Sequence, residues 1–174
     1  MSDDRNHPGN PEFTQEDEEV GQDPWRLPAT LAIPRGAGPF PALILVHGSG
    51  PNDRDETIGP NKPFRDLAWG LAARGVAVLR YEKRTRRYPK KMGALPALTV
   101  FEETIEDVGA AFKALAANRR VDPGAIYALG HSLGGYLMPR IAAFVPDLSG
   151  IIFWAASYRS LDAMILEQID WRLR

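Results

Sequence analysis

Ser132 lies in the run Gly130-His131-Ser132-Leu133-Gly134, with Gly135 after it. The spacing fits G-x-S-x-G, and the surroundings fit too: residues 125–129 read as a buried strand, and a helix starts near Leu133. A strand that turns sharply into a helix strains the intervening serine and lifts its hydroxyl above the sheet. Glycine is needed at 130 and 134 because a Cβ there collides with neighbouring backbone. The amide of Leu133, at the helix N-terminus, points toward negative charge developing on an attacked carbonyl. The chemistry implied is nucleophilic attack by Ser132; the plainer alternative is a serine in a tight turn. A second run of small residues, His47-Gly48-Ser49-Gly50-Pro51, directly follows an apolar stretch at 42–46. Its backbone is open to close approach by a ligand, or it is a glycine-rich turn.

Two such loops need a framework to bring them together. Residues 27–33 read as a strand stopped by Pro34, and 42–46 as a strand buried on both faces. After the loop 47–62, Pro63 suits a first helical position, and Phe64, Leu67, Ala68, Leu71 and Ala72 fall on one helical face. Gly75 suits the helix end, 76–79 is the next strand, and a basic loop follows over 80–91. Thr99 and Glu102 form a capping-box pattern ahead of an apolar stripe at Phe101, Ile105, Val108, Phe112 and Leu115. Pro139 kinks the helix that begins near Leu133. Residues 150–155 form another buried strand, and Ser160 caps a last amphipathic segment that runs to Arg174. Strands alternating with helices predict the α/β class: a mostly parallel sheet with helices on both faces.

Composition narrows the function classes. The chain has 174 residues, 44% hydrophobic and 25% charged, ordinary for one globular domain. Zero cysteines exclude disulfides, thiolate catalysis and cysteine-ligated metal. A net charge of −1 carries no global pull toward nucleic acid or anionic membrane, and no apolar run approaches the roughly 20 residues of a membrane span. Ser2, Asp3 and Asp4 do not open a signal peptide, so the expected location is cytoplasmic. Residues 1–24 hold eight carboxylates against Arg5 and read as a disordered acidic arm, 25–159 as the core and 160–174 as the start of a lid. Arg80, Lys83, Arg84, Arg86, Arg87, Lys90 and Lys91 read as a solvated basic loop; with only Tyr81 and Tyr88 among them, RNA stacking is disfavoured. Asp53, Arg54, Asp55 and Glu56 read as a loop held by its own ion pairs, with substrate contact as the alternative. Phe101, Phe112, Phe153 and Trp154 read as core aromatics, and Tyr158 as lining a pocket or packing in the core or lid.

The stretches 47–56 (HGSGPNDRDE), 59–67 (GPNKPFRDL) and 80–84 (RYEKR), with the run 130–136, resemble the α/β-hydrolase superfamily. More narrowly they resemble bacterial carboxylesterases related to dienelactone hydrolase, from about Trp25 to the end. The resemblance implies a serine carboxylic-ester hydrolase (3.1.1.-) acting on a small-molecule ester or thioester through an acyl-enzyme on Ser132, with no metal or other cofactor. The oxyanion would be held by the amides of Leu133 and Ser49, with Gly48 and Gly50 open as alternatives to Ser49; His47, Gly48, Gly50, Gly130, His131 and Gly134 shape the two loops. In that family the acid and the histidine of the triad follow a lid, and after Ser132 this sequence has no histidine. The expectation is a C-terminally truncated α/β-hydrolase fold, inactive or nearly so on its own, because a serine without a base is a poor nucleophile. A non-catalytic binding module (pseudoenzyme) and an acyltransferase are the alternatives; a Rossmann nucleotide binder is disfavoured, since no G-x-G-x-x-G follows the first strand. Were the sheet to end at 150–155, its apolar run would form an exposed edge, prone to self-association and poor solubility.

Overall fold

Alternation along the central strands dictates a three-layer arrangement. In a computed structural model, which describes residues 12–174, Leu43 and Leu45 face one side of the sheet and Ala42, Ile44 and Val46 the other. Six strands form one sheet: β1 (Phe13–Val20), β2 (Leu27–Pro34), β3 (Phe40–Val46), β4 (Ala77–Tyr81), β5 (Val121–His131) and β6 (Gly150–Trp154). Their order is β1-β2-β4-β3-β5-β6. β3 runs parallel to β4 and β5, and β5 parallel to β6, whereas β2 is antiparallel to β1 and β4. The parallel strands therefore end at a common edge, where the loops after β3, β4, β5 and β6 meet.

Helix α1 (Pro63–Ala72) covers one face, burying Phe64, Ala68 and Ala72 against Leu43, Leu45 and Val78. Full burial of a side chain the size of Phe64 stabilises by about 1.5–3 kcal/mol. The opposite face takes α4 (Glu106–Ala116), α5 (Leu133–Tyr136) and α6 (Met138–Phe144) through Val108, Leu115, Leu133, Met138 and Ile141. The helix after Ser132 breaks at Leu137, and Pro139 lies in the first turn of the second piece, where its missing N–H costs no helical bond. Ahead of α4 a π-helical turn spans Phe101–Ile105. Thr99 and Glu102 meet as the capping pattern requires: Thr99 N–H donates to Glu102 Oε2 at 2.9 Å, and Phe101 N–H donates to Thr99 Oγ1 at 3.1 Å.

Four expectations need correction. Residues 13–20, assigned to the acidic arm, are a full strand paired along its whole length with β2; residues 1–11 lie outside the described residues. Only Phe13 and Val20 of that strand are buried, so hydrophobic patterning missed it. Its polar side chains are tied to the body instead: Trp69 Nε1–H donates to Gln15 Oε1 at 2.9 Å and Arg120 to Glu16 at 2.9 Å. Second, the basic stretch 80–91 is only partly solvated. Arg80, Lys83 and Arg84 are buried, the last between Glu106 and Asp107, while α2 (Arg84–Arg87) and α3 (Pro89–Gly93) carry the exposed cations. Third, Phe153 is 56% exposed and Ile152 44%, because β6 is an edge strand among the described residues; Phe101 and Phe112 do pack against the core. Fourth, Ser160 makes no capping bond to α7 (Leu161–Leu173), and Ile165, Leu166, Ile169 and Trp171 on that helix are exposed.

Candidate active site

β5 leads directly into the turn at Ser132. The serine takes φ +50° and ψ −113°, a strained combination for a residue with a Cβ. It is held there because Ser132 N–H donates to Trp154 O on β6 at 3.0 Å while its carbonyl accepts Tyr136 N–H at 2.9 Å. The glycines make the turn sterically feasible. A Cβ on Gly130 would lie 2.4 Å from the backbone of Gly134, and one on Gly134 2.5 Å from Val46 O and 2.6 Å from His47 O. The elbow thus sits directly on the end of β3. Ser132 is half-buried, and its hydroxyl has no hydrogen-bond partner among the described residues.

The loop after β3 comes back over the elbow. A Cβ on Gly48 would stand 3.3 Å from Ser132 Cβ and 3.4 Å from His131 Nδ1, so residue 48 must be small for the two loops to meet. Gly48 N–H is already committed, donating to Glu56 Oε1 at 2.6 Å. The amides of Ser49 and Leu133 have no acceptor among the described residues. Of the three candidates in this loop, Gly48 is therefore unavailable as a donor, and Ser49 and Gly50, both exposed, keep N–H groups without an acceptor among the described residues.

The histidines of both runs serve the scaffold. His47 is buried between Phe64 and Tyr81, its ring centroid 5.3 and 5.2 Å from theirs, and donates Nε2–H to Asp53 O at 3.0 Å. Burial, reinforced by the nearby charge of Lys83, drives its pKa down to about 3, so it is neutral. His131 turns Nδ1 to within 2.9 Å of Glu56 Oε2, out of line for a straight hydrogen bond, and packs its ring 5.1 Å from that of Trp154.

Loop 52–57 is held by its own partners, as the sequence suggests. Thr57 donates N–H and hydroxyl to the Asp53 carboxylate at 2.9 and 2.7 Å. Asp53 consequently titrates below the usual range, although burial opposes this. Arg54 reaches Glu82 at 3.0 Å and Thr30 at 2.7 Å, and Asp55 pairs with Arg80 and Lys62. Glu56 is the exception, facing the elbow: it is 2% exposed and adopts φ +51° while bridging Gly48 and His131. Sequence reasoning did not single out its role, nor that of Lys83, which is 2% exposed with Nζ 2.8 Å from Gly48 O. A cation just after a buried strand was the available signal for Lys83; Glu56 left none.

Beyond β6 the segment 155–159 passes the elbow: a Cβ on Gly135 would lie 2.6 Å from Ala156 Cβ. Between that segment and α7 is an open cavity of about 490 Å³ lined by Tyr158, Met164, Gln168 and Trp171, among others. Tyr158 is almost wholly exposed there and packs in no core. Among the described residues no group of three or more His, Asp or Glu is placed to hold a metal ion, and no helix is long and apolar enough to cross a membrane.

A sheet of order β2-β4-β3-β5-β6, parallel from β4 to β6 and antiparallel at β2, with a strained serine at the end of β5 defines a class. The chain belongs to the alpha/beta hydrolase family, whose model matches residues 43–173. It is 48% identical over 145 residues to Esterase EstD of Thermotoga maritima, an alignment covering 83% of this chain and 34% of that protein. The chain thus spans about a third of the length of the curated relative it matches. Among solved structures it is similar to 2,6-dihydroxy-pseudo-oxynicotine hydrolase (TM-score 0.56, 26% identity, covering 76% of this chain and 34% of that one). It shares its fold with a putative dienelactone hydrolase from Klebsiella pneumoniae (TM-score 0.57, 23% identity, covering 86% and 63%).

Proposed function

We propose that this chain carries the nucleophile and oxyanion half of a serine esterase that cleaves small carboxylic esters or thioesters through an acyl-enzyme on Ser132. The observation that best supports the reading is the approach of Gly48 to Ser132, together with N–H groups of Ser49 and Leu133 and a Ser132 hydroxyl that have no partner among the described residues. The substrate carbonyl enters between them. Ser132 Oγ attacks its carbon, the oxygen takes up negative charge, and the two N–H groups stabilise it. Losing one such donor typically costs about 10²–10³ in rate. The similarity to an esterase supports the ester class.

The proton of Ser132 needs an acceptor. His47 is neutral but buried and bonded elsewhere, and His131 is directed at Glu56. Among the described residues neither histidine is free to take that proton, so we take the base and its acid to lie elsewhere in the full-length protein and expect residues 1–174 alone to be inactive or nearly so. Those engaged histidines equally favour a second reading, a hydrolase-fold binding module without turnover. A fluorophosphonate probe separates the two. Labelling of the protein in its full natural length, abolished by Ser132→Ala and weak or absent in residues 1–174 alone, is the expected result. No labelling at full length refutes the esterase and favours the binding module. If the full-length protein labels, giving fresh unlabelled protein an ester together with a second alcohol, and finding the acyl group passed to that alcohol faster than to water, would redirect the reading to an acyltransferase.

A further inference from the structure

Lys83 stands two residues past the end of β4, buried to the same degree as the core, yet its charged end is directed at the loop after β3. Its Nζ donates to Gly48 O at 2.8 Å and pairs with Glu103 Oε1 at 2.6 Å. Its backbone N–H also donates to Asn52 O at 3.2 Å, and Asn52 Nδ2 donates to Gly48 O at 3.2 Å and Ser49 O at 3.1 Å. The oxygen gripped by Lys83 and the N–H of Ser49 are opposite ends of one trans peptide.

We propose that Lys83 is a positioning residue for the oxyanion donor, orienting and polarising the peptide that joins Gly48 to Ser49. The inference rests on Ser49 as the donor, as read above. A planar trans peptide points its carbonyl and its N–H in opposite directions, so fixing the oxygen fixes the direction of the Ser49 N–H. Gly48 supplies no side chain to hold that plane, and Ser49 is exposed, so unaided the peptide is free to rotate. From the other side, Glu56 holds Gly48 N–H and sets the preceding peptide.

The charge adds a second effect. An ammonium at the carbonyl oxygen draws electron density through the amide resonance and makes the attached N–H a stronger donor. The interaction is weakly screened because Lys83 is out of water. Burying an ammonium is unfavourable before its partners respond. Asn52, a neutral side chain, already bonds the same oxygen, so tethering alone does not require a lysine. What a lysine supplies and asparagine cannot is a full positive charge on the peptide that faces the oxyanion.

The test uses the protein in its full natural length, p-nitrophenyl acetate as substrate and an alkyl trifluoromethyl ketone as the probe that forms a charged adduct with the serine. Lys83→Met is combined with Glu103→Gln so that no lone charge is buried, and Lys83→Gln keeps a neutral donor toward Gly48 O. The expected result is a fall in kcat of about 10- to 100-fold with KM within about twofold, and a parallel loss of affinity for the ketone. Lys83→Gln falls by a similar factor if polarisation dominates, and less if orientation does; either supports the proposal. Should the double variant fail to melt cooperatively, Lys83→Gln alone decides. Unchanged kcat and ketone affinity, or a rise in KM that accounts for the whole loss, overturns the role of Lys83 while Ser132→Ala remains inactive. A Ser132→Ala protein that still hydrolyses the ester, or a wild-type protein that reacts with neither compound, overturns the reading of the site itself.

Discussion

Replacing His47 by Gln should remove a defined part of the acid sensitivity of the fold. In the folded chain burial, and then the charge of Lys83, hold its pKa down to about 3 from an ordinary 6.5. The unfolded chain restores the ordinary value. Between pH 6.5 and about 3 the unfolded state therefore binds a proton that the folded state refuses, and acidification favours unfolding. This contribution is intact above pH 6.5, declines as pH falls, and levels off below about 3. At about pH 5 the loss comes to about 2 kcal/mol, roughly 1.5 units at 1.36 kcal/mol each. Asp107 acts in the opposite sense: burial, opposed by Arg84, pushes its carboxyl up to about 7, so the folded state gains a proton between about pH 7 and 3.8 and is favoured by acid. A single acid titration mixes the two, so the wild type must be compared with His47→Gln, whose amide can still donate to Asp53 O. Urea unfolding at about pH 7.5 and about pH 5, extrapolated linearly, gives the stability gap between the proteins at each pH. The gap should shift by about 2 kcal/mol against the wild type at the lower pH. A gap constant to within about 0.5 kcal/mol would refute a buried, neutral His47.

Packing and edge exposure set four further outcomes. Gly130→Ala drives a Cβ to 2.4 Å from backbone, which should lower stability by about 3 kcal/mol or more and the melting temperature by roughly 6–12 °C. Gly93→Ala, with open space around it in α3, should be neutral or stabilising by up to about 1 kcal/mol, and a thermal scan of both checks the contrast. Arg84→Met leaves the buried Asp107, which then takes up a proton, without its main partner and should cost about 1–3 kcal/mol in urea unfolding, most of it recovered when Asp107→Leu is added. Residues 1–174 alone should self-associate through the apolar edge of β6 in sedimentation velocity, and Phe153→Lys should shift them toward monomer.

The sequence carried the central sheet because β3 and β4 are buried on both faces and so read as unbroken apolar runs. It carried the serine turn because glycine spacing reports backbone collisions, and those collisions are present at 130 and 134. It failed at β1, where one strand at the sheet margin buries only its first and last residues and satisfies the rest through ladder bonds and long side chains. It failed again at 80–84, where local composition reads as a charged surface loop. The partners that allow Arg80, Lys83 and Arg84 to be buried lie elsewhere in the chain, at Asp55, Glu103 and Asp107. No local window contains both halves of those pairs. The bridge from Glu56 to His131 was hidden for the same reason, since it spans two loops that meet only in the folded sheet.

The two flanks of the sheet are chemically unlike. β1 presents Glu16, Asp17, Glu18 and Glu19 in succession, whereas Gly150, Ile151, Ile152, Phe153 and Trp154 of β6 carry no charge. A strand approaching the first flank meets a row of carboxylates that repels a second copy of itself; one approaching the other finds unpaired backbone and uncharged side chains. Among the described residues, the β6 margin is therefore the one that offers backbone bonds to a further strand without a row of like charges in the way.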